Sequence, residues 1–114
     1  MIAQLQNIPP ALPHPWHWDD TDLTRQLYRE ISESHVLFAK TLRTIARRQD
    51  NDDVLFQLEN DDYLYAVVHL TWSQKTLQDP YYPRTELYKD WNDLYFDRIL
   101  ADCIEFEELK SSDD

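Results

Sequence analysis

The stretch Tyr63 to Ser73, YLYAVVHLTWS, alternates as a strand does and limits the chain to folds that contain a sheet. Its even positions, Leu64, Ala66, Val68, Leu70 and Trp72, are all apolar. The odd positions, Tyr63, Tyr65, Val67, His69, Thr71 and Ser73, are aromatic or polar apart from Val67. Because successive side chains point to opposite faces, the segment reads as one buried and one semi-exposed face.

The neighbouring segments supply partners for this strand. Val54, Phe56 and Leu58 alternate with Gln57 and Glu59, which predicts a strand over about 53–59. Residues 36–48 are ambiguous, since Phe38, Leu42 and Ile45 also fit a helical stripe. The β-branched Thr41, Thr44 and Ile45 and the acidic turn cluster that follows favour a strand over about 41–48. A short edge strand is expected at 86–88. The chain has no glycine, so turns that need positive φ fall to Asn and Asp, which cluster at Gln49 to Asp53 and Glu59 to Asp62.

Helices are expected on either side of this meander. The acidic start DDTD at Asp19 to Asp22, followed by Leu23, Leu27 and Ile31, predicts a helix over about 20–34. Asp90, with Asp93 three residues on, begins a second one, whose stripe is Trp91, Leu94, Tyr95, Ile99, Cys103 and Phe106. The fold class is α+β, a three- to four-stranded antiparallel meander flanked by an N-terminal and a C-terminal helix.

With 114 residues, one domain over 19–106 is expected. It is preceded by a proline-rich docked arm (1–18) carrying Trp16 and Trp18, and followed by a disordered acidic tail (107–114). A formal charge of −11 argues against nucleic acid and anionic membranes and favours either solubility or attraction to a basic partner. The single Cys103 permits no internal disulfide, and no run approaches the length of a membrane span, so a cytoplasmic protein is expected.

No catalytic signature, cofactor motif or metal site stands out. On a regular meander, Arg43, Arg47, Gln57, Glu59, Tyr63, Tyr65 and His69 share the semi-exposed face, either as a recognition surface or as a cross-strand lattice of ion pairs. His69 with Arg47 and Tyr65 is the alternative small-ligand or enzymatic site, although Ser73 lies too far along the strand to serve as its nucleophile. His14, His17, Asp19 and Asp20 have metal-ligand chemistry but match no compact site. Asp50, Asp52 and Asp53 lack the glycine and the distal glutamate of the usual calcium loop. The segment Tyr81, Tyr82, Pro83 and Arg84 reads equally as a recognition knob or as a lid over the sheet edge.

IARRQDNDDVLFQL at Ile45 to Leu58, YAVVHLTWS at Tyr65 to Ser73 and YYPRTELYKDW at Tyr81 to Trp91 together resemble a group of small bacterial proteins with a VHLTW motif, similar to immunity proteins of polymorphic toxin systems. The resemblance covers about half the chain. Gln74 stands where glycine often follows the TWS element in that group. What the resemblance implies is a protein-binding role, with no catalytic residues to carry over. The expected function is a small acidic module that binds a basic protein through Glu59, Asp61, Asp62, Tyr63, Tyr65 and His69, with Tyr81 and Tyr82 as rim. A self-associating subunit is a further alternative, so monomer and homodimer both remain open.

Overall fold

The structure is a computed structural model that describes residues 9–111. Five strands pair antiparallel in chain order: β1 (Trp16–Trp18), β2 (Leu42–Arg48), β3 (Asp53–Leu58), β4 (Tyr65–His69) and β5 (Thr85–Tyr88). Helix α1 (Thr24–Glu30) lies between β1 and β2 in the chain. A C-terminal helical stretch consists of α2 (Trp91–Leu94), one π-helical turn (Tyr95–Ile99) and α3 (Leu100–Ser111). The class is α+β, as the sequence predicts.

Several details differ from the sequence expectation. The sheet has five strands, because part of the proline-rich arm pairs with β2. The first helix covers seven residues instead of 20–34, and it follows a strand instead of opening the domain. Helix α3 continues through 107–111, residues assigned above to a disordered tail; 112–114 and the extreme N-terminus lie outside the described residues. Positive φ occurs at Asn60, as turn chemistry requires, but also at Ala39 and Trp72.

The larger correction concerns the second face of the sheet, which is covered. On one face, Leu23, Leu27 and Ile31 of the α1 segment and Leu37 pack on Phe56, Val68 and Leu70. On the other, Trp16 from the arm and Trp91, Leu94 and Ile99 from the C-terminal helix pack on Leu55, Tyr65 and Val67. Trp18 stacks on Trp91 at 5.8 Å, and Tyr65 meets the same indole edge-on at 5.8 Å. Each large side chain withdrawn from water contributes about 1.5–3 kcal/mol, which is why two tryptophans on an extended arm dock.

Two irregularities decide which side chains reach the end of this second layer. In β2, Thr44 faces Phe56 while Ala46 faces Leu55, so Ile45 is an extra residue in a bulge. The alternation shifts there: Arg48 joins the Trp91 face, and Arg47 turns to the other, where it lies over the Trp72 ring at 5.8 Å. In the C-terminal helix, Leu100 N–H bonds to the Tyr95 carbonyl, a span of five residues. The wide turn carries the buried stripe from Leu94 to Ile99, and Arg98, one regular turn after Leu94, stands at the sheet end instead of in the core. Among the described residues no helix is long and apolar enough to cross a membrane.

Candidate functional site

Asp53 begins β3 and His69 ends β4, and the antiparallel register sets them opposite each other on the Trp91 face. Asp53 is buried, and its Oδ1 lies 2.7 Å from His69 Nδ1. An ionised carboxylate only accepts, so a proton sits on Nδ1, and in the neutral form of the ring Nε2 carries the lone pair. The His69 side chain is 50% exposed, and Nε2 has no partner among the described residues.

Behind this pair is a chain of ions. Arg98 donates through Nη2 to Asp53, through Nη1 to Glu86 and through Nε to Asp102 Oδ2 at 2.8 Å. Asp102 Oδ2 also accepts from Trp16 Nε1 at 2.8 Å and lies 3.2 Å from Arg48 Nη1. Arg48 in turn grips Asp50 with two bonds of 2.8 and 2.7 Å. Burial opposes the charge on Arg98, but the hydrogen bond and charge of Asp102, with Asp53 beside it, outweigh that cost and hold its proton more tightly than water would. The same balance raises Arg48, whose burial is overcome by Asp50, Asp102 and Asp53. The Arg48 hydrogen bonds hold the Asp50 carboxyl below its usual range. Burial pushes the Tyr88 phenol up, and its hydroxyl donates to Glu86 at 3.2 Å.

The network floors an open cleft of about 660 Å³. Its mouth is formed by Tyr81 and Tyr82, 83% and 46% exposed, together with Arg84 and His69. The long connection from β4 to β5 that carries the tyrosines is held from the opposite side of the sheet. Buried Glu30 accepts from Thr71 N–H (3.0 Å), Thr71 Oγ1 (2.8 Å), Trp72 N–H (2.9 Å) and Gln26 Nε2 (2.8 Å). These bonds hold Trp72 at φ 60, a conformation that costs a non-glycine residue about 1–2 kcal/mol. Buried His35 accepts from Leu37 N–H at Nδ1 (3.0 Å), which leaves Nε2 to donate to the Pro83 carbonyl at 3.0 Å.

Of the residues singled out from sequence, the cleft brings together Asp53, His69, Tyr81, Tyr82 and Arg84. Glu59, Asp61, Asp62 and Tyr63 lie in the β3–β4 turn at the far end of β4, where Asp61 pairs with Lys40 at 2.5 Å. Tyr65 is only 6% exposed, and Arg47 is on the other face, so the alternative set Arg47, Tyr65 and His69 is not assembled. The bulge puts Arg48 where unbroken alternation would put Arg47. Arg98 and Asp102 were missed, although their i, i+4 spacing is a recognisable ion-pair signal. In the arm, His17 Nε2 is 3.7 Å from Asp19, while His14 Nδ1 lies 3.4 Å from Gln49 Nε2. Among the described residues no group of three or more His, Cys, Asp or Glu side chains is arranged to hold a metal ion. No protein-family model, curated protein or solved structure matches the chain.

Proposed function

We propose that the chain is a small acidic protein-binding module, of the immunity-inhibitor kind, that meets a basic partner at the mouth of the His69 cleft. The observation that carries this reading is the pair Tyr81 and Tyr82, large aromatic side chains exposed beside a cleft lined by five carboxylates and three guanidinium groups. Tyrosine combines apolar area with a hydrogen-bonding tip, the chemistry enriched at protein interfaces. The buried anchors Glu30 and His35 fix their loop in advance, which lowers the ordering cost of association. The net charge of −11 speeds encounter with a basic surface more than it sets affinity. A reducing cytoplasm suits the single Cys103.

The test is affinity capture from a bacterial lysate at low and high salt, followed by identification of the retained protein and titration of the purified pair. A basic protein retained in stoichiometric amount, lost at high salt and bound at least about tenfold more weakly by the Tyr81→Ala/Tyr82→Ala double variant is the expected outcome. Undiminished binding by that variant refutes this placement.

One observation favours a second reading. The 2.7 Å Asp53–His69 pair, with Nε2 turned to the cleft, is the geometry of an oriented general base. Among the described residues, Thr85 is the one Ser, Thr or Cys lining the cleft, and its hydroxyl already donates to the Pro83 carbonyl at 3.0 Å. Acid–base chemistry here therefore involves water or a group on a bound small ligand. Hydrolytic turnover abolished by His69→Gln would establish this second reading over the first.

A further inference from the structure

The hydrogen-bonding groups left over in the cleft select its occupant. Arg98 is engaged by Asp53, Glu86 and Asp102, and Arg48 by Asp50 and Asp102, so neither floor guanidinium is open to an incoming anion. The Tyr88 hydroxyl is turned to Glu86. What remains without a partner among the described residues is His69 Nε2, the carboxylates of Asp97 and Glu105, the Arg84 guanidinium and the hydroxyls of Tyr81 and Tyr82.

Asp53 fixes the His69 tautomer, so the ring in its neutral form presents an acceptor to the cleft. An anionic occupant would find one open cation, Arg84, among five carboxylates. A cationic occupant finds two open carboxylates and an imidazole acceptor, under the exposed rings of Tyr81 and Tyr82. Among biological cations the guanidinium group fits best, because it is flat, carries five N–H donors, stacks on aromatic faces and is more weakly hydrated than an ammonium.

We infer that the cleft takes the side chain of an arginine, with the guanidinium held by His69 Nε2, Asp97 and Glu105 and stacked against Tyr81 or Tyr82. This rests on the protein-binding reading and names the group by which the basic partner is held. It does not follow from net charge, which would be satisfied equally by the exposed acidic turn Glu59 to Asp62 at the other end of β4.

The probe is N-acetyl-arginine methylamide, titrated into the full-length protein while the His69 and tyrosine ring resonances are followed by NMR. The citrulline analogue keeps the shape without the charge, and the lysine analogue keeps the charge without the plane. Saturable shifts at His69, Tyr81 and Tyr82 with a dissociation constant on the order of millimolar are expected. Binding of the citrulline analogue at least about tenfold weaker, and of the lysine analogue several-fold weaker, is also expected. Asp97→Asn with Glu105→Gln, both exposed, should weaken arginine binding about tenfold at unchanged stability. Absence of saturation in this range, equal binding of citrulline, or shifts confined to the Glu59 to Asp62 turn would overturn the inference. If the Asp97→Asn/Glu105→Gln variant holds the basic partner as tightly as the parent, the arginine site falls and the protein-binding reading survives. If the parent holds no basic protein while arginine still binds at His69, the reverse is established.

Discussion

Two carboxylates are buried among the described residues, on opposite faces of the sheet, and they are satisfied in opposite ways. Glu30, with 0% exposure, accepts from two backbone amides, a hydroxyl and a carboxamide, all of them neutral. Asp53, with 5% exposure, is held by Arg98 and His69 and lies 3.8 Å from Arg48. A carboxylate held by neutral dipoles orders the backbone around it, and here it ties the β4–β5 connection to α1. A carboxylate held by ions that themselves reach solvent transmits its orientation outward, and here it fixes the ring that faces the cleft. The first arrangement has no outlet to a ligand. The second ends in an open nitrogen.

The contrast can be broken or sharpened by substitution. The largest effect is expected from Glu30→Ala, which empties a fully buried position and leaves the Thr71 and Trp72 amides without their acceptor, while Gln26 keeps its bond to the Ser73 carbonyl; a loss of about 3 kcal/mol in urea unfolding is expected. Asp53→Asn should cost less, about 2 kcal/mol, because Asp102 and Glu86 still engage Arg98. It should also free the His69 ring, visible as a changed tautomer balance by nitrogen NMR, an effect that Glu30→Ala should not produce. Trp16→Phe removes the hydrogen bond to Asp102 and part of a buried ring, for about 1.5 kcal/mol.

The smallest effect concerns acid. Asp50 has its folded pKa depressed by the Arg48 hydrogen bonds, so its contribution is complete above the ordinary carboxylate pKa near 4 and is lost as pH falls through the lower folded value. Because Asp50 is exposed and its pairing is screened, Asp50→Asn should flatten the acid limb of the stability curve by no more than about 0.5 kcal/mol. Equal acid limbs for parent and variant would show that this outer link contributes nothing to the network.

The sequence was informative about elements and much less so about faces. The strands near 41–48 and 53–59 and the Asp90 cap were legible, the last because Asp93 N–H does bond to Asp90 Oδ1 at 2.9 Å. The covering of the second face was not, since Trp16 and Trp18 read as a docked arm and nothing local marks them as an added strand. Arg98 was hidden because regular helical spacing gives no warning of the π turn. Nothing local marks Glu30 as buried, and only the return of the chain at Thr71 and Trp72 encloses it. Trp72 itself breaks the rule that Asn or Asp must stand at positive φ, because long-range hydrogen bonds offset a local cost.

The bulge at Ile45 has a consequence for how the chain tolerates changes in length. Strand β2 is one residue longer than β3 requires, and Ile45 and Ala46 together occupy the space opposite Leu55. Loss of that surplus residue would restore a regular ladder and leave Ala46, Arg47 and Arg48 on their present sides, at the expense of the bond from Asp19 N–H to the Ile45 carbonyl. A codon inserted or removed in β4, where no spare residue exists, would instead move His69 to the opposite side of the sheet from Asp53. Natural variation in length should therefore be found in β2 and not in the strand that carries the histidine.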